Sequence, residues 1–262
     1  MLLTVDVGNT NTVLGVYDRD DLKFISRFST SKNATGDEFA VTIKAMLYLH
    51  GISEKSITGS IISSVVPQIT DCLASALTFL FGTSPIIVGP GIKTGLNIKI
   101  DNPAQLGADL LVDSVAASVK YPKPCIVIDM GTATTLTVVN EKNEFLGGAI
   151  MPGLGISLDA LSSRTSQLPG IALAKPHRTI GRNTIECMQS GLVLGCASML
   201  DGMIERFENE LGQKCFVVAT GGLAPVITAL ATHDITFDDN LLLDGLKILY
   251  ENNVSKKGSD LK

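Results

Sequence analysis

Two short stretches of this sequence share an order of residue types that suits phosphate chemistry. DVGNTNT runs from Asp6 to Thr12, and DMGTATT runs from Asp129 to Thr135. In each, an aspartate ends an apolar run, and glycine and small polar side chains follow. Glycine lets the backbone approach a ligand closely, and successive N–H groups with short side chains form an anion cradle. The aspartate cannot bind phosphate itself, but it can hold a cation, or the water around one, that phosphate needs.

The alternative is that both stretches are tight hairpin turns in which Asp and Asn cap the backbone. A single copy would favour that interpretation. Two copies in register favour a pair of phosphate-binding turns.

The elements around these turns repeat as well. Short apolar runs bounded by turn residues predict strands at LLTVDVG, TVLGVYD and KFISRFS, and again at CIVIDMG, TLTVVN and EFLGGAI. Aligning the two aspartates also aligns three later pairs: Gly8 with Gly131, Thr12 with Thr135, and Val16 with Val139. The chain is therefore predicted to be a duplicated α/β unit, each copy opening with a three-strand meander.

The remaining pattern alternates helices with strands. A capping box is predicted from Thr35 and Glu38 before a helix that ends near Leu49. Further helices are predicted over 69–81, 103–119 (capped by Asn102 or Asp101), 156–163, 184–211 and after Gly222, and further strands over 60–66, 85–89 and at CFVVAT.

Two glycine-rich stretches are candidates for nucleotide contacts. Thr220-Gly221-Gly222 follows a strand, and its paired glycines allow a flat ring or ribose to lie against the backbone. Taken alone, the stretch is better explained as a strand-to-helix turn that needs positive φ. GPGIKTG, at 89–95, contains Lys93-Thr94 but lacks the GxxxxGK[ST] spacing of a P-loop.

Composition narrows the class of protein. The 262 residues carry a formal net charge of −5 and no basic stripe, so no nucleic-acid partner is expected. The sequence has no unbroken apolar run long enough to predict a membrane span, and the N-terminus does not resemble a signal peptide. The five cysteines lack metal or disulfide spacing, which is typical of free thiols in a reducing cytoplasm. A cytoplasmic location is therefore expected.

An ordered set of motifs resembles the type III pantothenate kinases, within the actin, sugar-kinase and heat-shock chaperone ATPase superfamily. From about residue 3 to about residue 251 the motifs are DVGNTNT, SSVVP, GPGIKTGL, DNP, GAD, IDMGTATT, LGGAIMPG, IGRNT, MQSG and ATGGL. The resemblance implies a duplicated ribonuclease H-like (actin-like ATPase) α/β fold: two similar domains of mixed sheets flanked by helices, with a central nucleotide cleft. The predicted domains are 1–115 and 116–252, followed by a frayed tail over 253–262.

The resemblance also implies phosphorylation of pantothenate by ATP, with magnesium and with potassium or ammonium, in a homodimer. It places ATP at the first turn (Asp6, Val7, Gly8, Asn9, Thr10, Asn11, Thr12 and Val13), at Thr132, and at Gly221 and Gly222. It makes Asp109 the proton acceptor and Asp129 the ligand of the monovalent cation. It places pantothenate near Ile100, Gly107, Ala108, Asp109, Leu110 and Thr184.

Elementary chemistry agrees with these roles. Phosphoryl transfer needs positioning and charge neutralisation, and a hydroxyl nucleophile benefits from a carboxylate that takes its proton. Asp109 lies in an otherwise apolar stretch, where a charge suits a cleft. The residues alone favour a partly exposed helix residue instead, with Asp113 one turn later on the same face.

Two positions depart from the family pattern. Leu110 stands where the family usually has arginine, and Ile100 stands where it often has an aromatic residue. Losing an arginine removes a cation that can pair with the pantothenate carboxylate. Arg164, Arg178 or Arg182 can supply that charge instead; the alternatives are a different alcohol acceptor, or a nucleotide-binding regulator without kinase turnover.

Overall fold

The computed structural model describes residues 1–254, which form two mixed sheets with flanking helices. The strands are β1 (Leu2–Val7), β2 (Asn11–Asp18), β3 (Asp21–Ser29), β4 (Gly59–Ser64), β5 (Ile86–Ile87), β6 (Asn97–Ile98), β7 (Cys125–Met130), β8 (Ala133–Val139), β9 (Glu144–Pro152), β10 (Phe216–Thr220) and β11 (Thr236–Phe237). The helices are α1 (Gly36–Leu49), α2 (Pro67–Phe81), α3 (Ala108–Lys120), α4 (Leu154–Arg164), α5 (Thr184–Gln189), α6 (Gly195–Leu211), α7 (Ala224–Thr228) and α8 (Leu241–Val254). Short 3-10 turns occur at Glu54–Ser56 and Pro103–Gln105, and a π-helical turn at Ser190–Leu194 joins α5 to α6.

The two sheets have the same topology, which confirms the predicted duplication. The first sheet has the order β3-β2-β1-β4-β5, and the second contains β9-β8-β7-β10-β11 with β6 added beside β9. In each, the first three strands are antiparallel and the next two run parallel to the first strand.

The register of the strands corrects the alignment within the repeat. Four residues (8–11) separate the paired residues Val7 and Thr12, whereas three residues (131–133) separate Met130 and Thr134. Thr12 is therefore equivalent to Thr134, not to Thr135, and Val16 is equivalent to Val138. A β-bulge follows Val16 in one sheet and Val138 in the other, so even this irregularity is duplicated.

Among the described residues, the first compact unit contains residues 1–95, 102–116 and 241–254. Its core lies between one face of the sheet and helices α1 and α2, with Leu3, Val5, Val7, Ile43 and Leu73 fully buried. The predicted capping box is present: Glu38 Oε2 accepts from Thr35 N at 2.7 Å, and Thr35 Oγ1 accepts from Glu38 N at 3.3 Å.

Helix α8 belongs to the first unit although it comes last in the chain. A Cβ on Gly59 would lie 1.8 Å from Tyr250 Oη, and a Cβ on Gly245 would lie 2.3 Å from Val112 O. Tyr17 Oη donates to Asp244 Oδ1 at 2.7 Å. The units therefore differ from the predicted continuous ranges 1–115 and 116–252, because packing returns the last helix to the first sheet and sends β6 to the second. Of the predicted tail, residues 253 and 254 end α8, and the rest lies outside the described residues.

The second unit contains residues 96–101 and 117–240. Its core includes Ile126, Ile128, Leu136, Leu200 and Ile204. Within residues 1–254, the continuous helix over 184–211 is the one segment long and apolar enough to cross a membrane, judged by length and composition alone. Val193, Leu200 and Ile204 of this helix are buried in the core of the second unit.

Two predicted elements differ from the structure. The strand expected over 85–89 is reduced to Ile86–Ile87, and the helix expected over 103–119 is broken. Asn102 Oδ1 accepts from Ala104 N at 3.2 Å and caps a 3-10 turn, and α3 then starts afresh at Ala108. The break places Asp109 in the first turn of a helix instead of in a helix interior.

Candidate active site

The first Asp-x-Gly turn joins β1 to β2 and presents its middle residues to solvent. Gly8 N donates to Asn11 O at 3.0 Å and closes the turn. Asn9, Thr10 and Asn11 are exposed, and Asp6 is half-buried. The side chains of Asn9 and Asn11 therefore lie at the surface of this turn.

Two residues of the predicted cradle point elsewhere. Val7 and Thr12 are fully buried and form a register pair, so their side chains share the core face of the sheet. Thr12 Oγ1 lies 2.9 Å from Thr30 Oγ1, and the hydroxyl is used within the fold. Val7 and Thr12 can therefore contribute only backbone groups to a ligand.

The second Asp-x-Gly turn joins β7 to β8 and is crowded by backbone on one side. Gly131 and Thr132 are exposed, and Gly153 N donates to Thr132 O at 3.1 Å. A Cβ on Gly153 would lie 2.4 Å from Thr132 O and 2.5 Å from Gly131 O. Gly153 is the N-cap residue of α4, so only a glycine lets this helix begin against the turn.

The Thr220-Gly221-Gly222 turn lies beside the second aspartate turn, within the same unit. Strands β7 and β10 are parallel, and Thr220 pairs with Asp129. Gly221 has φ +98°, and a Cβ there would lie 2.7 Å from Met130 O. Gly222 is exposed with open space around it. The structure therefore brings Asp129 and the two predicted glycines together at the carboxyl ends of neighbouring strands.

Asp109 occupies the first turn of α3 in the first unit. Its Oδ1 accepts from Leu110 N at 2.8 Å, which leaves Oδ2 outside that bond. A Cβ on Gly107 would lie 2.6 Å from Asp109 Oδ1, so Gly107 leaves room for the carboxylate. Ala108, Asp109 and Leu110 are half-buried, whereas Asp113, one turn later, is 1% exposed.

The other predicted substrate residues lie in the second unit. Ile100 Cγ2 would lie 3.4 Å from a Cβ on Gly147, a residue with φ +111°. Thr184 is the first residue of α5, and the Asn183 side chain caps the helix by accepting from Glu186 N at 2.9 Å. Thr184 lines an apolar pocket of about 560 Å³ with Leu161, Leu168, Cys187, Met188, Gly191 and Leu192.

Among the candidate arginines, Arg178 is held near this helix start. Arg178 Nε lies 3.7 Å from Glu186 Oε2, which also accepts from Arg182 N at 2.9 Å. The hydrogen bond from Arg182 N is the largest cause that lowers the pKa of Glu186. Arg164 is exposed at the end of α4.

The sequence did not predict two features that shape this region. Gly153 packs against the second turn, and the sign of it in the sequence is the Pro-Gly pair before the predicted helix at 156–163. In the π-helical turn at Ser190–Leu194, Ser190 Oγ donates to Thr179 O, the residue that precedes IGRNT. Such turns are frequent at functional sites, but no residue type signals them.

The described cysteines are free thiols. Burial raises the pKa of Cys125 to about 12 and the pKa of Cys215 to about 11. Thiols with such pKa values stay protonated at neutral pH and are poor nucleophiles, so both act as small apolar residues.

The architecture is shared with phosphotransferases of the actin-like ATPase fold. The polyphosphate/ATP-glucomannokinase from Arthrobacter sp. strain KM matches with a TM-score of 0.50 at 14% identity, covering 97% of this chain and 98% of that one. A Campylobacter jejuni protein named as a Baf family transcriptional activator matches with a TM-score of 0.61 at 17% identity, covering 97% and 99%. At these identities the likeness shows the fold alone, and it confirms the predicted ribonuclease H-like class.

Sequence comparison gives the family. The family model described as type III pantothenate kinase matches residues 2–206. A type III pantothenate kinase from Geobacillus sp. (strain WCH70) is 49% identical over 257 residues, covering 98% of this chain and 100% of that protein. This chain belongs to the type III pantothenate kinase family.

Proposed function

We propose that this protein transfers the terminal phosphoryl group of ATP to the hydroxyl of pantothenate. The product is 4′-phosphopantothenate, and the reaction is the first step of coenzyme A biosynthesis. The observation that carries the proposal is the 49% identity, over 98% of this chain, to a relative named type III pantothenate kinase. A cytoplasmic location accompanies it, because both substrates are water-soluble metabolites.

ATP is assigned to the two aspartate turns and the paired glycines. The exposed Asn9, Thr10 and Asn11 offer backbone and side-chain donors to the phosphates, with Gly8 and Val13 completing the first turn. Thr132 is exposed at the second turn and can donate its hydroxyl to ATP. Gly221 and Gly222 offer a side-chain-free surface to the nucleoside.

The cations are assigned to the two aspartates. Magnesium keeps several waters and binds through one or two carboxylates plus phosphate oxygens. Asp6, half-buried at the end of β1, is the carboxylate assigned to magnesium or its waters, and Asp129 is assigned to potassium or ammonium. The cations, when bound, would neutralise charge that develops on the phosphates.

Asp109 is assigned as the proton acceptor. The Leu110 amide holds Oδ1, and Gly107 leaves the space that the carboxylate occupies, so the group is oriented before substrate arrives. Oδ2 can then take the proton of the attacking hydroxyl.

Pantothenate is assigned to Ile100, Gly107, Ala108, Leu110 and Thr184, in addition to Asp109. The support at Thr184 is the apolar pocket that it lines, which offers one polar group among aliphatic side chains. Arg178, held beside the same helix by Glu186, is a cation that can offset the missing arginine at Leu110.

A homodimer is also proposed, and the exposed apolar residues Ile180 (84%) and Ile185 (51%) at the start of the long helix are available to a second copy. Light scattering at micromolar concentration tests this. A monomer across that range would contradict the dimer without affecting the kinase assignment.

The first experiment is mass-spectrometric detection of phosphopantothenate. Purified protein receives ATP, magnesium and pantothenate, with potassium, with ammonium, or with neither. We expect product that depends on the monovalent cation. No product across a wide pantothenate range, from protein that binds ATP, would replace the proposal by a different alcohol acceptor or by a nucleotide-binding regulator, the two alternatives that Leu110 and Ile100 raise.

Asp109→Asn tests the base. We expect turnover to fall about 10²-fold to 10⁴-fold with ATP affinity nearly unchanged, because the substituted amide cannot accept the proton. Asp37→Asn is a matched control, since Asp37 is an exposed acid in the first turn of α1. Normal turnover by Asp109→Asn would refute the assignment.

A further inference from the structure

Strand β4 carries two buried serines, Ser60 and Ser63, that lie on opposite faces of the sheet. Ser60 is 2% exposed and Ser63 is 0% exposed. Neither hydroxyl has a hydrogen-bond partner among residues 1–254. Buried hydroxyls in native structures nearly always have a partner, so each of these needs an explanation.

The register of the sheet separates the two serines. Ser60 pairs with Leu3 of β1, whose side chain belongs to the apolar core with α1 and α2. Ser63 pairs with Asp6 of the same strand. Because side chains alternate between faces, Ser63 lies on the opposite face from Ser60, beside the aspartate that begins the first turn.

The neighbouring serine has a different role. Ser64 Oγ accepts from Thr70 Oγ1 at 2.8 Å and from Val66 N at 3.2 Å, so it holds the start of α2. Of the hydroxyls at the carboxyl end of β4, Ser63 is the one without a structural bond in the described chain.

The same juxtaposition recurs in the second unit. Thr220 pairs with Asp129 on neighbouring parallel strands, just as Ser63 pairs with Asp6. Each turn aspartate therefore has a buried hydroxyl residue at the same register position. Local strand stability does not require a hydroxyl there, since neighbouring positions of β4 hold isoleucine.

We infer that Ser63 is a positioning residue of the phosphate–metal site, an inference that rests on the proposed binding of ATP and a divalent cation at Asp6. Its hydroxyl binds a water molecule of the hydrated divalent cation that accompanies ATP. Magnesium keeps much of its water shell in proteins, and those waters need acceptors and donors around them. A hydroxyl supplies both, whereas the neighbouring carboxylate only accepts.

The test compares Ser63→Ala with Ser60→Ala. Both remove a buried, unpartnered hydroxyl from the same strand, so we expect the unliganded melting temperature of each to stay within about 1 °C of the parent protein. The binding of Mn²⁺ with a non-hydrolysable ATP analogue is then measured by electron paramagnetic resonance. We expect Ser63→Ala to weaken Mn²⁺ binding about fivefold to tenfold, the loss of one hydrogen bond, and Ser60→Ala to leave it unchanged.

Three outcomes would overturn the inference: unchanged Mn²⁺ affinity in Ser63→Ala, an equal loss in both variants, or a Ser63→Ala protein that unfolds more readily without ligand. The last would show that the hydroxyl serves the fold. Because the readout is metal–nucleotide binding, it stays independent of turnover: a protein that binds Mn²⁺ and ATP analogue but forms no phosphopantothenate would refute the proposed acceptor alone.

Discussion

The two Asp-x-Gly turns occupy equivalent places in their sheets, but different contacts hold them. In both, the residue after the third strand donates its N–H to the turn: Thr30 N to Thr10 O at 2.9 Å, and Gly153 N to Thr132 O at 3.1 Å. At the first turn the donor residue is a threonine whose hydroxyl meets Thr12. At the second it is a glycine pressed against the turn carbonyls.

This difference shows how one duplicated scaffold produces two turns that differ in how well they tolerate amino-acid substitution. A hydroxyl pair can be lost for the cost of one hydrogen bond, and nearby side chains can adjust. Backbone pressed against backbone has no such freedom, because a single added carbon would overlap a carbonyl group. The second turn, proposed to hold Asp129 and Thr132 against their ligands, is therefore the less tolerant one.

Gly153→Ala should have the largest effect. The added Cβ overlaps Thr132 O and Gly131 O, so we expect a destabilisation of about 2–3 kcal/mol and weaker ATP binding. Denaturant unfolding and calorimetric titration with ATP measure both. Gly155→Ala is the control, because it lies in the same helix with nothing within 4 Å of its Cβ. Equal losses of stability and of ATP affinity in the two variants would contradict the predicted overlap at residue 153.

Gly221→Ala should come next. Alanine at φ +98° is strained, and its Cβ would approach Met130 O, so we expect a loss of about 2 kcal/mol. Gly222→Ala meets no neighbouring atom and has no positive φ, so its stability should be nearly unchanged. A lower free energy of unfolding for Gly222→Ala than for Gly221→Ala would contradict the expectation that position 221, and not position 222, requires glycine.

The two sheets also differ in the residue that follows their fifth strands, β5 in the first sheet and β11 in the second. Val88 N donates to Ile62 O at 2.8 Å, and at the equivalent place Asp238 N donates to Ala219 O at 2.9 Å. Burial would raise the pKa of Asp238, but hydrogen bonds from Lys120 Nζ (2.6 Å) and Tyr121 Oη (2.7 Å) outweigh it and hold the pKa below its ordinary value.

Asp238→Asn should therefore cost about 1–2 kcal/mol at pH 7. Because the pKa of Asp238 is depressed in the folded state, its carboxylate stabilises the fold above the ordinary pKa of about 3.9. This contribution is lost as the pH falls through the folded-state pKa. The deficit of the variant should shrink below about pH 4 in urea unfolding. Asp239→Asn, at the exposed neighbour, is the control and should leave the free energy of unfolding at pH 7 nearly unchanged. A deficit that does not change with pH would contradict the ion-pair explanation.

Thr12→Val should have the smallest effect, about 1 kcal/mol, because Thr30 is half-buried and can turn to water. Thr30→Val should cost a similar amount. A double-mutant cycle in urea checks the pair: the double variant should lose less than the sum of the two single losses. Strict additivity would mean that the 2.9 Å contact does not stabilise the turn.

Much of this molecule was predictable from local patterns. The three-strand meanders, the capping box at Thr35 and Glu38, and the duplicated turns all follow from apolar spacing and from the chemistry of a few residues. The positions of Asp6, Asp109 and Asp129 were identified from the same patterns and from the family motifs. Their roles stay proposals that the experiments above test.

The predictions that were wrong share a cause: each depends on backbone hydrogen bonding that residue types alone do not specify. The break before α3 was missed because residues 103–119 have a helical pattern, and Gly107 alone does not signal a new helix start. The one-residue difference between the turns was missed because motif letters align more easily than hydrogen-bonded registers. The inward direction of the Thr12 hydroxyl depends on that register, so it could not be predicted either.

The sequence by itself determined the long strands of the two meanders, the duplication and the family, because each depends on residues close together in the chain or on motifs in a set order. Only the tertiary structure decided that α8 packs with the first sheet, that Gly153 and Gly221 press on the second turn, and that Ser63 lies beside Asp6. Those facts depend on which distant backbone segments approach within a few ångströms, and packing of the whole chain decides that.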